Sequence, residues 1–130
     1  MIQRLGMVII RQSNLDEAIS FYKDILGLPP RFKVEGVWAE FDLGNTRLGL
    51  CPTQDAIEGT RTGVVLEVRD LKKTYKAWKH MGVTFLNEPV EKVHGIMVSF
   101  MDPSGNHIDL YQPTPDRVTS LVETIAAQDE

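Results

Sequence analysis

Three polar side chains alternate along His107–Tyr111, a segment of strand-forming residues. His107, Asp109 and Tyr111 are two positions apart, so an extended backbone points them to one side. An imidazole oriented by a carboxylate can act as a general base near neutral pH. With Glu67 as a third ligand, the same groups suit a divalent cation. His107 and Asp109 are therefore the candidate catalytic residues, and an exposed histidine beside a structural carboxylate is the alternative reading.

A second candidate pair is Arg11 and Glu67, which lie 56 positions apart. The same separation relates other matching residues in the two halves of the chain, so these two charges hold equivalent places. Either they form an ion pair with each other, or Arg11 grips a substrate carboxylate through two parallel N–H groups. Both readings stay open.

The candidate residues lie within an internal repeat of the order βαβββ. The matching positions are, in pairs, Leu15 and Leu71, Gly44 and Gly105, and Pro52 and Pro113. We expect one α+β domain over residues 1–130, with module one in 1–60, module two in 61–113 and a C-terminal helix in 114–128. The two modules are expected to form a curved mixed sheet around a cavity.

Local signals predict one helix in each module. Asn14 and Asp70 are typical N-cap residues, and each precedes apolar residues at helical spacing. Gly27 and Gly82 follow these stretches and can take the left-handed conformation that ends a helix. The candidate polar residues therefore belong to strands.

Composition excludes several classes of protein. The chain has 130 residues, of which 42% are hydrophobic and 25% charged, as in soluble globular domains. A net charge of -4 argues against nucleic-acid binding, and no apolar run is long enough to cross a bilayer. Cys51 is the only cysteine, so no intrachain disulfide can form, and we expect a cytoplasmic protein.

Two stretches carry a family resemblance. The run Asp102–Leu110 reads DPSGNHIDL, which resembles the DPxGNxxEL signature of the vicinal oxygen chelate superfamily. This group includes glyoxalase I, bleomycin-resistance proteins, fosfomycin-modifying enzymes and extradiol dioxygenases. Residues 13–28, with Ser13-Asn14-Leu15 and Phe21-Tyr22, resemble its first-helix signature. The resemblance extends over about residues 4–113.

The resemblance also implies where a metal would bind. Enzymes of this superfamily hold a divalent metal through His or Glu on strands that line the cavity. The corresponding positions here are Met7, Leu48, Gly63 and Asp109. A thioether suits Mg, Mn, Zn or ferrous iron poorly, and neither an aliphatic side chain nor glycine offers a ligand. We therefore expect no cofactor; the alternative is one divalent metal in a rebuilt site of Glu67, His107 and Asp109.

The alternation of strand side chains predicts a pocket with apolar walls and several polar groups. Such a mixture suits an organic ligand with an apolar body and one or two polar handles. Trp38 either stacks on a flat ligand or fills a dimer interface. The predicted lining residues are Met7, Ile9, Arg11, Trp38, Glu40, Leu48, Gly63, Val65, Glu67, Met97, Ser99, His107, Asp109 and Tyr111.

The predicted function is metal-independent binding of a small organic molecule between the modules. One alternative is a metal-dependent lyase, isomerase or dioxygenase with a non-standard site. The other is an interaction module without a ligand. The resemblance implies a homodimer in which a second subunit completes the cavity, and exposed strand edges would also favour pairing.

Overall fold

The computed structural model describes residues 1–115, which fold as an α+β protein with two βαβββ-like modules. This confirms the predicted fold class. The first module consists of β1 (Val8–Gln12), α1 (Leu15–Ser20) with a π-helical continuation (Phe21–Ile25), β2 (Pro30–Val34), β3 (Trp38–Asp42) and β4 (Arg47–Pro52). The second consists of β5 (Arg61–Glu67), α2 (Leu71–His80), β6 (Thr84–Phe85), β7 (Val90–Lys92), β8 (Gly95–Met101) and β9 (His107–Pro113).

Both helices begin at the predicted caps. The side chain of Asn14 accepts a hydrogen bond from the Glu17 amide at 3.0 Å, and Asp70 accepts one from the Lys73 amide at 3.1 Å. These bonds satisfy amides that have no partner within the helix. Gly27 follows the π-helical turn with a φ of 73°, a conformation that glycine adopts without strain.

The strands form two sheets, one in each module, where the sequence predicted a single curved sheet. The orders are β1-β4-β3-β2 and β5-β9-β8-β6, and β7 pairs with β8. The first strand of each module runs parallel to its last, as the repeat implies. β7 and β8 form a hairpin whose turn is at Val93-His94, and the sequence pattern did not predict the strand β7.

One face of each sheet packs against the helices and forms a common core. Leu48 belongs to this core with 1% of its surface exposed, so the prediction that it lines a pocket is wrong. The strand register gives the reason. Leu48 lies opposite Val8 and Phe41, and in-register neighbours share a face. Its neighbour Gly49 lies on the face of the sheet that points away from the core.

The two modules are joined by a buried hydrogen-bond network centred on Asp102, here called the Asp102 network. One carboxylate oxygen accepts from Gln12 Nε2 and the Tyr22 hydroxyl, both at 2.8 Å, and from Asn106 Nδ2 at 3.0 Å. The other accepts from the amides of Ser104 and Asn106. The DPSGN part of the signature therefore holds the modules together.

Burial raises the pKa of the Tyr22 hydroxyl well above 10.0, and the neighbouring Asp102 carboxylate raises it further. Both effects disfavour the phenolate, because a buried charge loses hydration and the carboxylate repels it. Tyr22 therefore stays a hydrogen-bond donor to Asp102 over the ordinary pH range.

The predicted C-terminal helix, 114–128, lies outside the described residues apart from its first two positions. Among the helices of residues 1–115, none is long and apolar enough to span a membrane.

Candidate ligand-binding site

Each sheet has a face that points away from the core, and these are called the first and second open faces. Strand register assigns their residues. The first open face carries Ile9, Arg11, Trp38, Glu40, Arg47 and Gly49, and Met7 lies in the segment just before β1. The second open face carries Gly63, Val65, Glu67, Met97, Ser99, His107, Asp109 and Tyr111. All the predicted lining residues except Met7 and Leu48 therefore lie on these faces.

The indole of Trp38 covers Gly49 on the first open face. A Cβ atom added at Gly49 would lie only 2.3 Å from the Trp38 ring. Real Cβ atoms do not approach a ring so closely, so any side chain at this position would have to displace the indole. The absence of a side chain at Gly49 is what allows Trp38 to lie across β4.

Glu40 is held beside the same indole. Its side chain is only 4% exposed, and Arg31 Nε donates to Oε2 at 3.0 Å while Arg47 Nη1 lies 3.8 Å from that oxygen. The Trp38 Nε1 group donates to Oε1 at 3.4 Å. A buried carboxylate is costly unless paired and hydrogen-bonded, and these three neighbours meet that requirement. The centre of the first open face is therefore satisfied internally.

The second open face carries a pocket of about 450 Å³, here called the second-face pocket. It is lined by Arg61, Thr62, Gly63, Val64, Leu86, Asn87, Ser99, His107 and Asp109. Its size lies in the range of ligand sites, and apolar and polar groups are mixed in its lining. The structure thus brings four predicted residues into one cavity: Gly63, Ser99, His107 and Asp109.

The polar groups of the second-face pocket are only partly engaged with one another. Ser99 Oγ donates to Asp109 Oδ1 at 2.5 Å, and the Ser99 amide donates to Asn87 Oδ1 at 2.9 Å. The His107 imidazole makes no hydrogen bond within residues 1–115. His107 and Asp109 line the same cavity, but the partner of Asp109 is Ser99. The imidazole is left with both nitrogens available to a ligand.

Met97 and Tyr111 lie farther along the second open face. They are paired across β8 and β9, and Met97 lines an adjoining cavity of about 270 Å³ that also contains Ser99 and Asp109. The Tyr111 hydroxyl donates to the His94 carbonyl at 2.8 Å, and the two rings are 5.6 Å apart. Tyr111 is thus anchored to the turn between β7 and β8.

Arg11 and Glu67 do not form the ion pair that one reading of the sequence proposed. Both are exposed, and neither side chain has a salt bridge or hydrogen bond in the described part of the chain. Glu67 and Val65 instead line a cleft of about 650 Å³ between the modules, together with Leu28 and Trp78. The Arg11 side chain is exposed to solvent.

The positions that correspond to the family's metal ligands do not fit a divalent metal. Strand register replaces Leu48 with Gly49, so the set is Met7, Gly49, Gly63 and Asp109, which contains one carboxylate. Gly63 has a φ of 74° at an irregularity of β5, where a side chain would be strained. At Gly49 the indole fills the space.

The alternative metal ligands, Glu67, His107 and Asp109, do not come together at one point either. Glu67 lies opposite Tyr111, while His107 and Asp109 lie farther along β9. Within residues 1–115, no three His, Cys, Asp or Glu side chains come together as a metal-binding group. We therefore derive no chemical step through a metal.

Sequence reasoning missed several residues of these cavities. Arg61 pairs with His107 across β5 and β9, and its place two positions before Gly63 on the same strand could have indicated it. Asn87 follows β6 and reaches the Ser99 amide, a contact that no sequence spacing signals. Arg31 and Arg47 on the first open face were also missed.

The fold and the two open faces define a protein of the vicinal oxygen chelate type. The family model described as Glyoxalase/Bleomycin resistance protein/Dioxygenase superfamily matches residues 4–110, and the chain belongs to this superfamily. Its DPSGN segment and paired modules are the features that the resemblance led us to expect.

Individual relatives agree with this assignment. An uncharacterized protein of Mycolicibacterium smegmatis is 29% identical over 108 residues, covering 82% of this chain and 91% of that protein. TnmS3, an antibiotic-binding protein from Streptomyces sp. CB03234, aligns with a TM-score of 0.76 at 24% identity, over 87% of this chain and 98% of its own. The bleomycin-binding protein of Streptomyces verticillus, complexed with copper(II)-bleomycin, aligns with a TM-score of 0.69 at 21% identity, over 88% and 100%.

Proposed function

We propose that this protein binds a small organic molecule in the second-face pocket without a metal, and that it retains the ligand rather than converting it. The observation that carries the proposal is the convergence of His107, Asp109 and Ser99 on a cavity of about 450 Å³. The imidazole there has free nitrogens, and Leu86 offers apolar surface. This mixture suits a ligand with an apolar body and polar handles.

The backbone supports independence from a metal. A ligating side chain at Gly63 would need a residue in left-handed conformation, which costs about 1 kcal/mol or more for a non-glycine residue. A ligating side chain at Gly49 would need Trp38 to move. Both positions are therefore adapted to glycine, and the chemistry of the pocket comes from Asp109 and its neighbours.

Two structural neighbours have functions of the proposed kind. TnmS3 is an antibiotic-binding protein, and the Streptomyces verticillus protein is a bleomycin-binding protein. At 24% and 21% identity, the likeness to these proteins concerns the fold. The ligand of this chain therefore has to be inferred from the residues that line its own pocket.

We also propose that the protein acts as a homodimer in which a second subunit covers the open faces. Large apolar side chains on these faces are about half exposed: Ile9 56%, Phe32 51%, Val34 50% and Val65 48%. Apolar surface of this kind is favourable to bury against a partner. Sedimentation analysis should give a species of twice 14.7 kDa. A monomer at micromolar concentration would contradict this part of the proposal.

The test of ligand binding is calorimetric titration of the purified protein, with metal content measured on the same sample. The probes are planar aromatic compounds with cationic or anionic groups, and bleomycin with and without copper(II). We expect saturable binding that persists after treatment with a chelator. A ligand at 100 times its Kd should add about 2.7 kcal/mol to the free energy of unfolding.

Asp109→Asn is the diagnostic variant, because it removes the negative charge from a lining that also contains Arg61 and keeps the shape of the pocket. We expect affinity to fall about tenfold, the value of one charge-assisted hydrogen bond. Asp16→Asn, an exposed change at the start of α1, is the matched control and should bind like the wild type. A stoichiometric metal bound by three or more side chains would instead support an enzyme. No binding by any probe would support an interaction module.

A further inference from the structure

A small pocket at one end of the first open face belongs to none of the sites described so far. Its volume is about 160 Å³, and Arg4, Arg31 and Arg47 line it with Asn45 and Thr46. These residues come from the N-terminal segment, β2, β4 and the turn between β3 and β4. We call it the arginine pocket.

Three contacts hold the arginine pocket in shape. The Thr46 hydroxyl donates to the Leu5 carbonyl at 3.2 Å, which ties the N-terminal segment to the turn and sets Arg4 beside the cavity. The buried Glu40 carboxylate positions Arg31 and Arg47 from below. The guanidinium groups of Arg31 and Arg47 are thus held in place before any ligand arrives.

Most of the hydrogen-bond donors in the pocket remain unused. A guanidinium carries five N–H donors, yet Arg31 and Arg47 each direct one nitrogen at Glu40. Arg4 has no hydrogen bond or salt bridge within residues 1–115. Asp42, the acidic residue among those that line the pocket, accepts a hydrogen bond from the Gly44 amide.

The charge of the pocket differs in sign from that of the chain. Three arginines face two carboxylates, Glu40 and Asp42, which leaves one positive charge in excess, whereas the whole chain has a net charge of -4. The cavity is smaller than the roughly 300 Å³ that a drug-sized ligand needs. A group of a few atoms with several acceptor oxygens matches its size, its charge and its donors.

We propose that the arginine pocket binds a compact oxyanion: phosphate, sulfate or the carboxylate of a larger molecule. Arg4 closes on the anion, and Arg31 and Arg47 supply donors from the sheet. The inference does not depend on the proposed function, because the pocket lies on the other module and a free anion can serve as its probe.

The test is calorimetric titration with inorganic phosphate at constant ionic strength, with sodium chloride as the compensating salt. Arg4→Gln and Arg47→Gln should each weaken phosphate binding about tenfold, since each removes a charge-assisted hydrogen bond. The matched control is Arg69→Gln, an exposed arginine at the other module, which should stay within about twofold of the wild type. Arg4→Gln removes no contact of the described fold, so its thermal midpoint without phosphate should not change.

The source of the anion is decided by a second titration with phenyl phosphate. Tighter binding than that of inorganic phosphate, lost in Arg4→Gln, would identify the anion as a handle of an organic ligand. Equal binding would identify a free anion. The proposal is wrong if phosphate shows no saturable binding, or if either arginine variant binds as the control does.

Discussion

The two open faces start from the same arrangement of strands and reach opposite chemistry. On the first, Trp38 lies over Gly49 and donates to Glu40, which is also paired with arginines. On the second, the equivalent of Gly49 is Asp109, and the space in front of it is an open cavity. The centre of the first face satisfies its own polar groups, whereas the second leaves the His107 imidazole without a partner among residues 1–115.

Equivalent positions of a duplicated module can therefore hold an internally satisfied cluster in one copy and an open pocket in the other. Because Gly49 has no side chain, an aromatic ring can fill the first face from β3. Asp109 occupies the same place on the second face, and Ser99 holds it without closing the cavity. Trp38 and Gly49 on the first face correspond in register to Met97 and Asp109 on the second, so both positions contribute to this difference.

We expect the greatest loss of stability from a change in the Asp102 network, which holds the two modules together. Asp102→Ala removes the acceptor of the Asp102 network and leaves the buried donors of Gln12 and Tyr22 without a partner. Each orphaned donor costs about 1–3 kcal/mol, so the free energy of unfolding should fall by about 4 kcal/mol. Urea unfolding followed by circular dichroism measures it.

The control for this variant is Asp55→Asn, an exposed change on the loop between the modules. It should alter stability by no more than about 0.5 kcal/mol. A loss below about 1 kcal/mol in Asp102→Ala would mean that apolar packing alone joins the modules, and that the Asp102 network does not fix the two faces relative to each other.

The next effect is confined to the first face. Gly49→Ala places a Cβ atom against the Trp38 ring, so the indole must shift, and overpacking of this kind costs about 1–3 kcal/mol. Gly6→Ala is the matched control, since a Cβ there meets nothing within 4 Å. In a Trp38→Ala background, the cost of Gly49→Ala should fall to about 0.5 kcal/mol. If Gly49→Ala costs as much in the Trp38→Ala background as in the wild type, contact with the indole is not the cause of the cost.

The dependence of stability on alkaline pH is a second test of the Asp102 network. The pKa of Tyr22 is raised in the folded protein, mainly by burial, so the folded state keeps a proton that the unfolded chain releases above about pH 10. The protonated Tyr22 hydroxyl therefore contributes its full stabilisation below about pH 10, and this contribution is lost as the pH rises toward the pKa of Tyr22 in the folded protein. Urea midpoints from pH 7 to 11 should show this decline.

Tyr22→Phe sharpens the alkaline test. The variant should be less stable at neutral pH by about 1–2 kcal/mol, because Asp102 loses a donor, and its alkaline decline should be shallower. Tyr75→Phe, which removes a hydroxyl contacted by Lys79, should keep the decline of the wild type. Equal declines in both variants would assign the alkaline effect to another group.

The fold could be predicted from the sequence because its signals are local or repeated. Asn14 and Asp70 cap their helices as expected, and the order of elements was readable from the duplication. The predicted face of a strand depends on register instead, and a slip of one residue reverses it. Matching Gly44 with Gly105 set Leu48 in the place of Asp109, whereas strand pairing sets Gly49 there.

The cavities were harder to predict than the faces. Alternation along β9 found His107 and Asp109, but Asn87 reaches Ser99 from a loop, and three separate segments supply the arginines of the arginine pocket. Such contacts arise from the path of the chain in three dimensions, which no spacing encodes. Dimerisation and a cytoplasmic location remain predictions.

The smallest effect tests whether the second face is truly left open. Ser99→Ala removes the donor to Asp109 on a half-buried surface, and we expect a loss of stability below about 1 kcal/mol. Ser20→Ala, an exposed serine of α1, is the control. If Ser99→Ala costs as much as Gly49→Ala, the polar groups of the second face are structural too. A small cost with a clear loss of ligand affinity would instead show that Ser99 holds Asp109 in position for the ligand.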